Sequence, residues 1–478
     1  MRTLIRGGWV IGYADGGHRL YRDGVVVVDD DRVLHVGHRY DGHHDREIDA
    51  RGKIVSPGLI DTHVHSGLRL AHRLLQDAGR QDFFGQPRSH FTVSREGTRI
   101  PYEPPELSAR YTVAELLRNG TTTFVEIAGN YGGLEELAAE VGRRGLRCYV
   151  GPGFEDTFLV GDEQGRIKEI YDPARGWALL DEAKAFIRAV NGTHDDRVRG
   201  ILAPRESDVC SLELLRAARE TANALGVPIT CHASYNIAEF YEIVVRYRCT
   251  PIELLDRAGL LGPDLLIGHG NFPAETRVLN YSGGRDLELI AASGATVAHS
   301  PVNIVRRGRS LDNWDRYRKA GVKLSLGTDT WPRDLMWQMR TASYMGKTLA
   351  GSFLAAPAAE VYSAATLGGA DALGRPDLGR LAPGAKADLI VIDTPGLRWG
   401  AVRDPVKSMV DCGVGDDVEL VMVDGQVLME NRQIPGCDLE ALRREAQAFG
   451  ETFWGRLQEW NLLGQTAEEA CPWSFPLA

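Results

Sequence analysis

The central part of the chain alternates between short apolar runs and longer amphipathic segments, which is the pattern of repeated βα units. The apolar runs have the length and the β-branched content of strands, and eight of them lie at 59–63, 121–127, 147–151, 198–203, 228–232, 265–269, 295–299 and 323–329. Segments with helical periodicity lie at 108–119, 134–144, 211–225 and 311–320, and each is followed by a glycine that can cap a helix.

Eight βα units predict an α/β fold of the (β/α)8 TIM barrel type. An open doubly wound sheet is the alternative, because long segments separate the early strands. Residues 71–105 are polar and lack a clear period, so we expect them to form a long loop over the barrel mouth.

Short β-branched runs also occur near both ends of the chain. Those near the start lie at 25–28 and 33–36, and those near the far end lie at 387–393 and 418–429, with an Asp-Gly turn inside the last. Each set is too small to form a stable sheet alone. We therefore predict one small β-sandwich that is built from both ends of the chain.

These patterns divide the chain into three parts. Residues 1–57 and 385–435 would form the composite β-sandwich, and residues 58–384 would form the barrel. Residues 436–478 are predicted to form a helical tail, which ends in an aromatic segment with Trp473 and Phe475. We expect these two side chains to dock onto the body of the protein or onto a neighbouring subunit.

Composition and charge narrow the classes of function. A chain of 478 residues with 43% hydrophobic residues can bury the large core that a barrel requires. The net charge of -10 argues against a nucleic-acid partner, because phosphate binding requires a clustered positive field. The seven cysteines are scattered and form no CxxC pair, which indicates reduced thiols in a cytoplasmic protein. No stretch approaches the ~18 to 20 apolar residues of a membrane span, so we expect no membrane partner.

His63 and His65, at the end of the first predicted barrel strand, are a candidate metal-binding pair. Side chains of an extended segment alternate between faces with a period of two, so both imidazoles project from the same side and can bind one ion. An isolated His-x-His pair is more often two polar residues at the end of a half-buried strand. The assignment therefore depends on the other strand ends.

Four other predicted strands end in residues of the same kind. His232 ends the fifth strand, His269 the sixth, His299 the seventh and Asp329 the eighth. In a parallel barrel these ends meet at one rim, where the chemistry of such barrels takes place. The convergence predicts a shared metal site.

One divalent metal would be held by three imidazoles and one carboxylate, those of His63, His65, His232 and Asp329. Such a set leaves a position open for water, and a metal lowers the pKa of that water toward neutrality. Asp329 and His269 are the predicted catalytic residues, because they could take the proton of the water and deliver it to the leaving group. Each of two histidines also has a purely structural alternative. His269 could be a core histidine whose ring is hydrogen-bonded to the backbone, and His299 could serve only to order its loop.

Several motifs together resemble the amidohydrolase superfamily. They are SPGLIDTHVH at 56–65, GTTT at 120–123, Ala-Pro at 203–204, His232, His269, AHSP at 298–301, LGTD at 326–329 and LAPGAKADL at 381–389. The resemblance runs from residue 25 to residue 429. Within the superfamily, the chain is similar to the branch that holds triazine hydrolases and cytosine deaminases. It implies a distorted (β/α)8 barrel with a split β-sandwich, and hydrolysis at a carbon that bears an amine, amide or similar leaving group.

Two positions depart from the pattern of that branch. Its deaminases usually carry His-x-x-Glu at strand five, where the glutamate transfers protons, and here Tyr235 takes the place of the glutamate. After strand four the family often has Ala-Pro-His, and here Arg205 takes the place of the histidine. A guanidinium there favours a substrate carbonyl, thiocarbonyl or carboxylate, or else it pairs with Glu206 or Asp208. No lysine ends strand four, which favours one metal over a pair bridged by a carbamylated lysine.

The predicted substrate contacts follow the strand ends, and they are Arg205, Tyr235, Asn236, His299 and Trp331. Trp331 could line an apolar pocket or pack in the core. With Tyr235 and Arg205 at these two positions, the chain looks most like the molinate and phenylurea hydrolases, which cleave thiocarbamates and ureas.

We therefore predict a metal-dependent hydrolase that cleaves a C–N bond, or a related C–S or C–Cl bond, of a small urea, carbamate or amide-like compound. Zinc is the first expectation for the metal, with iron, cobalt and manganese as alternatives. Two other functions stay open: a deaminase or dechlorinase of an amino-heterocycle such as a triazine or nucleobase-like compound, and a non-catalytic scaffold, against which the complete ligand set weighs. The resemblance also suggests a homo-oligomer.

Overall fold

The computed structural model describes residues 1–74, 77–78, 93–129 and 133–478. Its strands are, in chain order, β1 (Arg2–Ala14), β2 (Gly17–Arg22), β3 (Val25–Asp29), β4 (Arg32–Gly37), β5 (Arg46–Pro57), β6 (Leu59–Val64), β7 (Thr121–Gly129), β8 (Arg147–Phe154), β9 (Thr157–Gly161), β10 (Ile167–Tyr171), β11 (Val198–Gly200), β12 (Ala203–Pro204), β13 (Ile229–Ala233), β14 (Leu265–His269), β15 (Thr296–His299), β16 (Lys323–Leu326), β17 (Leu389–Ile392), β18 (Val418–Val423) and β19 (Gln426–Met429).

The α-helices of five residues or more in the described chain are α1 (Pro105–Arg118), α2 (Leu134–Arg144), α3 (Pro173–Val190), α4 (Leu212–Leu225), α5 (Ile237–Tyr247), α6 (Pro251–Arg257), α7 (Asp286–Ser293), α8 (Pro301–Val305), α9 (Trp314–Lys319), α10 (Leu335–Ala350), α11 (Ala358–Ala364), α12 (Leu367–Ala372), α13 (Pro405–Cys412) and α14 (Leu439–Gly455). Within the described ranges, none of the helices combines the length and the apolar composition that a membrane crossing requires.

The barrel strands follow one another in the order β6, β7, β8, β11 with β12, β13, β14, β15 and β16. Isolated parallel bridges join the two sheets of the barrel, Leu202 with Ile229 and Glu206 with His232 on one side and Val64 with Asp329 on the other. Backbone hydrogen bonds of 2.7 Å run from Asp329 N to the His63 carbonyl and from His65 N to the Asp329 carbonyl. The predicted (β/α)8 barrel is therefore confirmed, and an open doubly wound sheet is excluded.

All eight predicted barrel strands are present, but the fourth, predicted at 198–203, is divided into β11 and β12, and the last one ends early. Strand β16 ends at Leu326 instead of residue 329, because the chain turns there and Asp329 has a φ of 64°. The hairpin of β9 and β10 and the helix α3, which fill the long segment between β8 and β11, were not predicted. Part of the predicted loop at 71–105 lies outside the described residues, namely 75, 76 and 79–92.

Caps explain where several barrel helices begin and end, and the glycine caps were predicted. Ser211, which was not predicted as a cap, precedes α4, and its hydroxyl accepts a hydrogen bond from Leu214 N. Gly145 ends α2 with a φ of 86°, and Gly226 ends α4 with a φ of 65°. These are left-handed conformations that glycine adopts without the steric cost of a Cβ atom.

The two ends of the chain share one sheet, in the order β19, β18, β17, β5, β1, β3 and β4, with β2 paired to β1. Strand β5 is parallel to β1 and antiparallel to β17, so it joins the two halves. The strands from both ends bury side chains in one cluster, which includes Ile5, Val26, Val55, Leu389 and Leu420. Neither half could bury these side chains alone.

Arg147 connects the barrel to this sheet. It begins β8, and its guanidinium lies between Asp388, 2.8 Å away, and Asp424. The Arg147 side chain is 2% exposed, and the two carboxylates are 3% and 7% exposed. The ion pairs thus lie in the interior, where an unpaired charge is costly.

Replacement of Arg147 by methionine is expected to lower the free energy of unfolding by about 3–5 kcal/mol, because the buried carboxylate of Asp388 loses its counter-ion, whereas Asp424 keeps its ion pairs with Lys386 and Arg197. Chemical denaturation measures this difference. Arg143→Met is the control, because that arginine is 64% exposed and its loss should cost less than about 1 kcal/mol. Equal losses for both variants would show that the buried ion pairs do not stabilise the junction.

The C-terminal tail begins with the helix α14, and its docking residues differ from those expected. Helix α14 lies against α1, where Arg110 donates two hydrogen bonds to Glu445. Trp460 is buried, whereas Trp473 and Phe475 are 62% and 82% exposed. The prediction that these two aromatic side chains dock onto the body is wrong, because the earlier part of the tail provides the contact. Their contact with a neighbouring subunit stays a prediction.

Candidate metal centre

The predicted ligands lie together at the C-terminal rim of the barrel. Ligand atoms of His63, His65 and His232 lie within 4.8 Å of one another, and so do those of His63, His269 and Asp329. His65 Nε2 is 3.2 Å from His232 Nε2 and 3.6 Å from Asp329 Oδ1. His269 Nε2 is 3.8 Å from Asp329 Oδ2. The two groups share His63, so the five side chains form one cluster.

Glycines next to the ligands explain how so many side chains fit. A Cβ atom on Gly268 would lie 2.8 Å from His63 Cε1, and one on Gly327 would lie 2.3 Å from His63 Cβ. His269 and Asp329, at the ends of β14 and after β16, both have left-handed backbones, with φ of 76° and 64°. The Gly-His and Gly-Thr-Asp motifs therefore combine a close approach with a turn of the chain at the strand end.

His63 has the environment of a metal ligand. It is fully buried, and neither ring nitrogen has a hydrogen-bond partner among the described residues. Burial lowers the pKa of His63 to about 3 and lowers the pKa of His65 well below its ordinary value. Both rings are therefore neutral at pH 7, which is the form that binds a metal. A buried ring with two unsatisfied nitrogens is costly unless an ion accepts a lone pair. The residues present thus fit a divalent metal.

Neighbouring polar groups orient the cluster. His232 Nδ1 lies 2.6 Å from the Arg205 carbonyl oxygen, which places the ring proton on Nδ1, and its Nε2 faces His65. Asn303 Nδ2 donates a hydrogen bond to Asp329 Oδ2. Asn303 was not predicted, although its position four residues after a strand-end histidine could have indicated it.

Tyr235 lies beside the cluster. Its ring centroid is 6.3 Å from those of His232 and His269. Its hydroxyl donates to Glu206 Oε2 at 2.9 Å and lies 3.2 Å from Asp208 Oδ2. All three side chains are buried. The two acidic residues that the sequence offered as partners for Arg205 are thus partners of Tyr235.

Arg205 and Asn236 have structural contacts of their own. Arg205 forms an ion pair with Glu155 at 3.0 Å. Asn236 precedes α5, and its Oδ1 accepts a hydrogen bond from Glu239 N at 2.9 Å. Its Nδ2 group has no hydrogen-bond partner among the described residues and is the part that could face a ligand.

His299 lies on another face of the barrel wall. Its ring centroid is 6.4 Å from that of Trp314 in α9, and it lines a small cavity with Leu311 and Met345. Burial lowers its pKa to about 3. These contacts place the side chain between β15 and the helices that cover it, so it lies apart from the predicted ligands because strand side chains alternate between faces.

Trp331 follows Asp329 closely, but two cations contact its ring. The guanidinium carbon of Arg306 lies 4.0 Å from the ring centroid, and that of Arg73 lies 4.9 Å away. The sequence left a pocket wall and packing as alternatives at this position. The contacts give Trp331 a charged environment.

Comparison with known proteins connects this geometry to a family. Residues 54–428 match the model of the Amidohydrolase family. The chain belongs to this family. The amidohydrolase resemblance inferred from the motifs is therefore confirmed, and the protein is a metal-dependent hydrolase that acts on carbon–nitrogen bonds.

Two deaminases are similar to this amidohydrolase in sequence over most of its length. A 5-methylthioadenosine/S-adenosylhomocysteine deaminase of Thermococcus onnurineus is 30% identical over 91% of this chain and 95% of its own. A 5'-deoxyadenosine deaminase of Methanosarcina barkeri is 29% identical over 90% of this chain and 93% of its own.

Solved structures show the same fold. An adenosine deaminase of Xanthomonas campestris with bound zinc has a TM-score of 0.77 at 23% identity, over 94% of this chain and 98% of its own. An atrazine chlorohydrolase of Arthrobacter aurescens in complex with zinc has a TM-score of 0.76 at 23% identity, over 94% of this chain and 100% of its own. The barrel with an accompanying β domain is thus common to the three proteins.

Proposed function

We propose that this amidohydrolase uses one divalent metal to cleave a C–N bond, or a related C–S or C–Cl bond, in a small urea, carbamate or amide-like compound. The observation that carries the proposal is Tyr235, which stands where deaminases of this branch carry a glutamate. Its hydroxyl is hydrogen-bonded to Glu206. A phenol is a hydrogen-bond donor with a pKa near 10, and it replaces a carboxylate poorly as a carrier of protons.

This difference matters because the two substrate classes place different demands on the enzyme. An amino-heterocycle accepts a nucleophile well only after a ring nitrogen has been protonated, and a carboxylic acid can supply that proton. The carbonyl oxygen of a urea or amide takes the developing charge itself, and hydrogen-bond donors are enough to stabilise it. A tyrosine in place of the glutamate therefore favours a carbonyl substrate.

The metal would be held by His63, His65, His232 and Asp329, and zinc fits three neutral imidazoles and one carboxylate. Iron, cobalt and manganese accept the same donors. A divalent ion there would supply a water of lowered pKa at neutral pH and would polarise a substrate oxygen.

The protein's own groups provide the proton transfers. Asp329 and His269 lie 3.8 Å apart, so the carboxylate can take a proton from the water and the imidazole can stabilise the acid that forms. Asn303 holds the Asp329 carboxylate by its hydrogen bond to Oδ2. Arg205, Tyr235 and Asn236 stay the proposed substrate contacts beside the cluster. His299 and Trp331 would act on the substrate only through the residues that they contact.

A second function, deamination or dechlorination of an amino-heterocycle, is supported by the relatives that are named as deaminases. A carboxylate also lies one hydrogen bond away from the site, at Glu206. If Glu206 reaches the substrate directly, it could replace the missing glutamate.

A substrate panel separates the two functions. The metal-loaded protein and the Tyr235→Glu and Tyr235→Phe variants are given ureas, carbamates and amides in one set and amino-triazines and aminopurines in another. We expect turnover of the first set by the native protein, and a gain of heterocycle deamination in Tyr235→Glu. Tyr241→Phe, which changes a tyrosine bound to the Leu279 carbonyl, is the control.

Turnover of the heterocycles alone by the native protein would establish the second function. No turnover of either set by protein that contains its metal would contradict both proposed substrate classes.

A further inference from the structure

Two arginines from distant parts of the chain meet on one indole ring beside the metal centre. Arg306 lies 4.0 Å from the Trp331 ring centroid and Arg73 lies 4.9 Å from it. Trp331 is the second residue after Asp329. A pair of positive charges therefore lies at the edge of the site.

Neither arginine forms an ion pair with a carboxylate in the described part of the chain. Arg306 donates to the Trp331 carbonyl at 3.1 Å. Arg73 donates to the Leu68 carbonyl at 3.3 Å and to the Tyr111 hydroxyl at 3.4 Å. A guanidinium has five N–H groups in a fixed planar arrangement, so both residues keep donors for a further partner.

Other arginines around the barrel mouth are paired. Arg333 binds Glu115, Arg205 binds Glu155 and Arg316 binds Asp312. Their charges are satisfied within the protein. Arg73 and Arg306 differ from these arginines in having no such carboxylate among the described residues.

A third arginine adds to the positive charge. Arg69 donates to the His65 carbonyl at 3.1 Å, and it forms no ion pair within the described ranges. Burial lowers the pKa of Arg69 and of Arg306, whereas the nearby carboxylate of Asp329 acts in the opposite direction on both. Like charges held close together in a partly desolvated site are unfavourable without a counter-ion.

We propose that Arg73 and Arg306 bind an oxyanion group of the substrate, either a carboxylate or a phosphate, while its hydrolysable bond lies at the metal. The substrates are then small anionic compounds. Planar guanidinium groups suit both oxyanions because they can donate two parallel hydrogen bonds. The inference rests on the proposed function, since it names the substrate class of the same site.

Trp331 has a positioning role in this arrangement. Its ring face attracts both guanidiniums and holds them on one side of the cluster. The indole therefore acts through the arginines and does not form an apolar wall for the substrate.

The test uses matched sets of compounds. Each set contains an N-carbamoyl or N-acyl amino acid, its neutral primary carboxamide and the phosphate monoester of the corresponding N-acyl amino alcohol. Calorimetry measures the binding of each compound to the metal-loaded protein, and product release is measured in parallel. We expect the oxyanion members to bind at least about tenfold more tightly than the carboxamides.

The variants show whether the arginine pair causes this preference. In the Arg73→Gln, Arg306→Gln double variant the preference should fall to within about twofold, with metal content unchanged. The preference for oxyanion compounds should weaken in Trp331→Leu. It should be largely retained in Trp331→Phe, which keeps an aromatic face. Arg316→Gln removes an arginine that is paired with Asp312, and it should keep the preference.

The outcomes separate this inference from the proposed function. Equal binding of charged and neutral members, no binding of any member, or a preference that survives in the double variant would overturn the inference. Hydrolysis of the neutral members would then leave the proposed function intact. Preferential binding of oxyanions with no hydrolysis of any C–N bond would support the arginine site and contradict the proposed function. The relative affinities of the carboxylate and the phosphate members identify which oxyanion the site takes.

Discussion

Replacement of Asp329 by asparagine is expected to lower kcat by about a thousandfold or more, because the change removes both a ligand charge and the group that takes a proton. The asparagine has nearly the same shape, so the loss should come from chemistry and not from packing. Asp329 lies 3.6 Å from His65 Nε2 and 3.8 Å from His269 Nε2, and no other carboxylate belongs to the cluster within the described residues.

Steady-state kinetics on the first substrate found in the panel measures this loss. Asp334→Asn is the matched control, because Asp334 lies in the same loop but caps α10 through bonds from Met336 N and Trp337 N. It should lower the stability of the fold without a comparable loss of kcat. A decrease in kcat of less than about tenfold for Asp329→Asn would remove Asp329 from the catalytic role.

Removal of the metal by a chelator is expected to lower the thermal midpoint of unfolding by several degrees. A ligand at about a thousand times its Kd stabilises the native state by about 4 kcal/mol. His63 supplies the structural reason, since both of its buried ring nitrogens have no partner among the described residues. Differential scanning calorimetry before and after chelation measures the shift.

Two histidine variants show where the effect arises. In His63→Ala the chelator should no longer change the midpoint, because the metal has lost a central ligand. His299→Ala is the control, since His299 is also buried but contacts Trp314 outside the cluster. It should lower the midpoint by itself and keep the shift on chelation. A shift that disappears in His299→Ala but not in His63→Ala would contradict the proposed ligand set.

The barrel and the metal cluster could be predicted because both depend on local patterns. Each strand is a short apolar run, and the topology of a parallel barrel then places all strand ends at one rim. His232, His269 and Asp329 therefore met His63 and His65 without any knowledge of loop conformations.

The directions of individual side chains could not be predicted in the same way. His299 continues the alternation of β15 and faces the helices, whereas His269 turns at a φ of 76° and joins the cluster. The sequence shows a strand-end histidine in both cases. A left-handed backbone conformation at the strand end decides whether the side chain joins the cluster. An aspartate or histidine in the sequence is only a weak indication of that conformation.

Contacts between segments that are distant in the sequence could not be predicted either. Arg73 and Arg306 meet on Trp331 because three separate segments of the chain lie side by side at the barrel mouth. Tyr235 finds Glu206 across two neighbouring strand ends. Such pairs follow from the fold, so they become visible only when the strands have been placed.

Metal content per chain, measured by elemental mass spectrometry on the native protein and on the His232→Ala and Asp329→Asn variants, tests the central claim most directly. We expect one zinc or other divalent ion per native chain and a clear loss of metal in both variants. Two ions per chain would mean that a further ligand bridges a second metal. No bound metal after reconstitution, or full metal content in both variants, would contradict the site described here.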